Sequence, residues 1–125
     1  MRQTFGSGGP FEDMYGYSRA VRVGNHVMVS GTCARDDAVV PDAYAQALDA
    51  LHTIGRALAE AGAQLGDVVR TVTYVTDMRD MEKVAAAHRE VFQDIRPAAT
   101  IVEVSALADK HYLVEIQADA VIEQP

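Results

Sequence analysis

The sequence predicts an α+β fold in which two helices cover one face of a mixed β-sheet. Three observations predict it. Apolar residues recur at strand and helix periods in the order β-β-α-β-α-β-β. The last strand sorts its side chains: Val114, Ile116, Ala118 and Ala120 fall on one face, Glu115, Gln117 and Asp119 on the other. The chain has 125 residues, 49% hydrophobic and 23% charged, enough to bury one core without a disulfide or metal staple. A single domain spanning residues 1–125 follows. Residues 1–10, rich in Gly and Ser and closed by Pro10, are expected as a flexible lead-in.

The elements follow in order. Across Ala20–Ser30, Val21 and Val23, then Val27 and Val29, alternate on either side of Gly24-Asn25, which reads as a β-hairpin ended by Gly31. Asp42–Ala61 reads as a helix. Asp42 is placed to cap it, Leu48, Leu51, Gly55 and Leu58 form its stripe, and Gly62 sits at the C-terminal glycine position. Gly55 in that stripe suggests close approach to the sheet. Val68–Val75 is β-branched and Thr-rich, hence a strand. Asp77–Asp80 turns the chain into a second helix, Met81–Gln93, with Asp80 as candidate cap. Pro97 ends that helix, and Thr100–Val104 and Leu113–Val121 are strands. The helices leave the sheet's other face uncovered. Tyr74, Ile101, Leu113 and Val121 are expected there, which points to a homo-oligomer.

Composition bounds the function. Eighteen acidic against 11 basic residues give a net charge of −7, and no basic run is present, so nucleic acid is not expected as a partner. No stretch has the length and apolarity of a membrane span or a secretory signal, so no membrane partner and a cytoplasmic location are expected. Phosphate-loop, dinucleotide, nucleophile-elbow and zinc-helix signatures are absent from the sequence. His26, His52, His88 and His111 stand singly, and no metal or other cofactor is expected. Cys33, the single cysteine, reads as a small packed residue, since a catalytic thiol wants a base that the sequence does not name. Glu115 is the most informative residue. A carboxylate in mid-strand is either solvated or ion-paired, or sits at a subunit boundary where it acts as acid or base. Glu103 is similarly placed.

Several blocks carry a resemblance. They are Gly16-Tyr17-Ser18-Arg19-Ala20, Val29-Ser30-Gly31, Glu60-Ala61-Gly62-Ala63, Asp67-Val68-Val69-Arg70, Arg96-Pro97-Ala98-Ala99-Thr100 with Val102-Glu103-Val104, and Val114-Glu115-Ile116-Gln117-Ala118. In this order they resemble the RidA family, also called YjgF or L-PSP. The resemblance implies a chorismate-mutase-like α+β domain and a homotrimer whose sheets line a central barrel, with three clefts between subunits. It also implies hydrolysis of imines and enamines such as 2-aminoacrylate, through an arginine in a P-A-R-[ST] motif that grips the substrate carboxylate. Here that motif reads Pro97-Ala98-Ala99-Thr100. The departure implies poor activity on 2-aminoacrylate. Gln117 and Ala85 also replace a common Glu and Asn of the family. The residues carried over are Glu115 as catalytic carboxylate and Tyr17, Arg19, Gly31, Ala99, Thr100 and Ile101 as contacts to a small-molecule ligand. Arg19 and Arg96 are the candidates to replace the missing charge, against a salt-bridge role for Arg19 and a helix-terminal role for Arg96. The expected function is hydrolytic deamination in an intersubunit cleft. The alternative is a non-catalytic metabolite-binding or chaperone-like trimer.

Overall fold

A computed structural model describes residues 1–123. Six strands form one sheet: β1 (Arg2–Phe5), β2 (Ala20–Val23), β3 (His26–Thr32), β4 (Val68–Val75), β5 (Ala98–Glu103) and β6 (Val114–Val121). Three α-helices accompany them: α1 (Pro10–Tyr15), α2 (Ala43–Glu60) and α3 (Met81–Phe92). The sheet order is β1-β2-β3-β6-β4-β5. Every neighbouring pair is antiparallel except β4 and β5, which are parallel and joined through α3.

The predicted α+β class, with α2 and α3 on one face of a mixed sheet, is what the chain adopts. On β6, Val114, Ile116, Ala118 and Ala120 are buried, and the residues between them are half-buried. They pack under α2, whose Leu51, Ile54 and Leu58 are fully buried. Each of these three contributes roughly 1.5–3 kcal/mol by leaving water. Asp42 caps α2 by accepting from Tyr44 N at 3.0 Å. Gly62 follows with φ 86°, the left-handed backbone that ends helices. Arg22 on β2 reaches the same end, donating through Nη1 to Ala61 O at 2.8 Å, which places a cation at the negative pole of α2.

Residues 1–10 differ from the expected lead-in. Arg2–Phe5 forms β1, an edge strand paired with β2 from Arg2↔Val23 to Phe5↔Ala20. Its side chains are mostly exposed, so backbone pairing to β2, not apolar patterning, forms it. Pro10 at the first turn and Gly16, with φ 82°, bracket the short helix α1. Three smaller expectations also fail. Asp80 makes no capping bond; Asp77 caps the preceding 3-10 turn instead. Gly55 approaches Leu65, whose Cδ1 lies 3.4 Å from where a Cβ would stand, not the sheet. Ile101 pairs with the buried Thr73 and therefore faces the helices, not the open side.

One polar side chain is fully buried in α2. Gln46 donates to Val40 O at 2.7 Å and to His111 O at 3.0 Å, and accepts from Leu113 N at 2.9 Å. It fastens the loop that leads into β6.

Candidate functional site

The open face of the sheet carries one half of the predicted site. β3 is irregular in its pairing with β6 between Val29 and Thr32. Bulges of this kind re-aim side chains, and this one sets Gly31 against Glu115. A Cβ on Gly31 would lie 2.9 Å from Glu115 Cδ and closer still to Oε2. Arg19 Nη2 donates to Gly31 O at 2.9 Å, and its guanidinium carbon lies 5.4 Å from the Tyr17 ring centroid. Arg19 Nε is buried with no partner among the described residues. The structure thus gathers Tyr17, Arg19, Gly31 and Glu115. Arg19 is engaged with its neighbours in this cluster, and no carboxylate among the described residues forms an ion pair with it.

Cys33 joins this group, which the sequence did not reveal. Its Sγ donates to Glu115 Oε1 at 3.4 Å. The two residues are far apart in the chain, and the β3–β6 pairing that unites them has no local signature. Burial, then the charge of Glu115 and the hydrogen bond to it, push the Cys33 thiol well above the usual range. A thiol raised in this way stays protonated and is placed to donate to the carboxylate, which makes it a poor nucleophile near neutral pH. Alkylation by iodoacetamide is expected to be at least tenfold slower than that of a free thiol from pH 7 to 9. Glu115→Gln should speed it by removing the neighbouring charge. Labelling of the wild-type thiol at the free-cysteine rate would contradict this assignment.

Ala99, Thr100 and Ile101 lie elsewhere. They sit on the edge strand β5, with β4 between it and β6. Two strand spacings are about 10 Å. Ala99 and Ile101 pair with Thr71 and Thr73, both buried on the helix side, so they face α3 and not Glu115. Thr100 pairs with Val72 and alternates to the open side. Within one chain the structure does not bring these residues to the Glu115 group.

Instead they border a groove of about 290 Å³ between α3 and β5. Val84, Ala85, Phe92, Ala99 and Ile101 give it apolar walls, and Arg89 and Arg96 also line it. His88 lies in the same wall, with Nε2 2.8 Å from Thr71 Oγ1. Burial lowers the pKa of this imidazole, which favours its neutral form. Glu103 is accounted for by accepting from Met78 N at 2.8 Å, in the turn before α3. No cluster of three or more metal-ligating side chains occurs among the described residues. No helix among them is long and apolar enough to cross a membrane.

Comparison with known proteins gives a consistent picture. The family model described as Endoribonuclease L-PSP matches residues 11–122. A RutC family protein of Pyrococcus abyssi is 37% identical over 108 residues, covering 83% of this chain and 84% of its own. The 2-iminobutanoate/2-iminopropanoate deaminase of Salmonella typhimurium is 34% identical over 111 residues, covering 84% and 86%. The crystal structure of a Mycobacterium tuberculosis member of the YjgF/YER057c/UK114 family superposes with a TM-score of 0.92 at 47% identity, covering 98% of this chain and all of that one.

Proposed function

We propose a function from one premise: this chain belongs to the L-PSP family, also called YjgF or RidA. The reading is hydrolytic deamination of an imine or enamine-type metabolite. One observation carries it: a single carboxylate, Glu115, is held on one oxygen by Cys33 and packed against Gly31 on an open sheet face. Water adds to the C=N carbon while Glu115 takes one of its protons and passes it to nitrogen, giving a carbinolamine; Glu115 then moves the carbinolamine hydroxyl proton to the amine as C=O forms and the C–N bond breaks. The products are a carbonyl compound and ammonia. Tyr17, steadied by Arg19, walls the pocket.

The cleft lies between copies in this reading. Met28 and Val102 on the open face are each 39% exposed, and a trimer covers such a face. It also brings the α3–β5 groove of one copy toward Glu115 of the next, joining the two halves that one chain keeps apart. Sedimentation should give the mass of three chains at micromolar concentration.

The test supplies freshly generated imines of several amino acids and follows ammonia release. Turnover is expected with the wild type and lost with Glu115→Gln. The imine of 2-aminoacrylate is expected to be a poor substrate, since Ala99 offers no grip on a small carboxylate. Loss of one buried charge-assisted contact costs about 2–5 kcal/mol, or roughly thirty- to several-thousand-fold in binding. Ala99→Arg should recover part of it. The second reading, a non-catalytic metabolite binder, is favoured by that same alanine. It gains if the wild type turns over no imine.

A further inference from the structure

We infer that the floor of the α3–β5 groove recognises a hydroxyl group at the end of an apolar substituent, with His88 and Thr73 as the specificity-determining residues. Three observations carry this. The first is a buried hydroxyl that nothing in the chain satisfies. Thr73 on β4 is 4% exposed and lines the groove, yet its hydroxyl makes no hydrogen bond among the described residues. A buried hydroxyl is ordinarily paired, and an exception calls for a partner from outside the chain. The second is the imidazole of His88. Its Nε2 lies 2.8 Å from Thr71 Oγ1, and its ring centroid lies 4.7 Å from that of Phe92. These contacts fix the ring in the groove wall. The other ring nitrogen, Nδ1, has no hydrogen-bond partner among the described residues and is not sealed from solvent. The Thr71 hydroxyl can donate to Nε2 or accept from it, so Nδ1 can serve as acceptor or as donor. Thr73 stands one pleat along β4 from Thr71, on the same buried face.

The third is the setting of these two groups. Val84, Phe92 and Ile101 wall a groove of about 290 Å³, and Ala85 and Ala99 leave room in it for an apolar body. Burial favours the neutral form of His88, and no carboxylate lines the groove to receive an ammonium group. A hydroxyl both donates and accepts, which matches two neutral polar groups on an apolar floor. The inference deepens the hydrolytic reading and rests on it for the cleft in which turnover occurs. The preferred imine then carries an apolar side chain that ends in a hydroxyl.

The probe is p-cresol, titrated into the full chain and followed by backbone amide chemical shifts, with toluene as the counterpart that lacks the hydroxyl. Saturable binding of p-cresol is expected, with toluene at least tenfold weaker, since a site built to hydrogen-bond a hydroxyl rejects the analogue without it. Thr73→Val removes the hydroxyl at nearly unchanged shape and suits a strand. It should weaken p-cresol about tenfold and leave toluene unchanged or tighter. His88→Phe should also abolish the preference, because it leaves the wall apolar. The inference is overturned if p-cresol does not bind, if toluene binds equally well, or if the preference survives either substitution. A preference for p-cresol without imine turnover would sustain it and remove the hydrolytic reading. Imine turnover with no preference between the probes would do the reverse.

Discussion

Gly31→Ala is expected to cut imine hydrolysis about a hundredfold or more while the protein stays folded. The added Cβ would stand 2.9 Å from Glu115 Cδ, and closer to Oε2, so the carboxylate has to move. Gly31 is not among the residues with positive φ, so alanine fits its backbone without strain. The whole effect therefore falls on the head of Glu115. A displacement near 1 Å of a reacting group costs about 10²-fold. The moved carboxylate also releases Cys33 Sγ, whose bond to Oε1 is 3.4 Å long. Alkylation of Cys33 should accelerate in the same variant, with the melting temperature shifted only slightly. Activity within a few-fold of wild type would show that the position of Glu115 is immaterial.

Gln46→Leu is expected to destabilise the fold by about 3–5 kcal/mol. The side chain is fully buried and serves Val40 O, His111 O and Leu113 N. Leucine leaves all three backbone groups without that partner, and an unsatisfied buried group costs about 1–3 kcal/mol. In a domain of this size the melting temperature should fall by roughly 10–20 °C. Because the amide fastens residue 113 just ahead of Glu115, any residual folded protein should also turn over poorly. Thermal denaturation of Gln46→Leu beside Gln46→Glu, whose carboxylate still accepts from Leu113 N but loses the two donated bonds, separates the contributions. A Gln46→Leu melting temperature equal to wild type would refute this account.

Much of the fold was legible because its signals are local. The alternation of Val114 to Ala120, the Asp42 cap and the Gly62 terminus each lie within one element, and each appears as read. β1 was not legible, since Arg2–Phe5 has no apolar face and exists through pairing with β2. The site was legible in part. Tyr17, Arg19, Gly31 and Glu115 do converge. Ala99, Thr100 and Ile101 do not join them, because strand pairing decides which face a residue takes. The Cys33–Glu115 contact depends on the same long-range pairing and left no trace in either segment. Arg96 was visible as a helix-terminal charge, but its positive φ was not.

The strand that carries Glu115 occupies an interior slot of the sheet, between β3 and β4, although it follows both in sequence. During synthesis the two flanking strands therefore emerge with a gap between them. The ladders on both sides of that gap wait for residues 114–121. Pairings this distant in sequence slow folding, because loop closure precedes any reward from contact. The open gap also offers two unpaired strand edges to other chains in the meantime. Insertion of β6 closes the sheet between β3 and β4 and brings in the Glu115 carboxylate in the same step. A chain that stops before β6 lacks both the continuous sheet and the Glu115 carboxylate, and leaves the edges of β3 and β4 open to pairing with other chains.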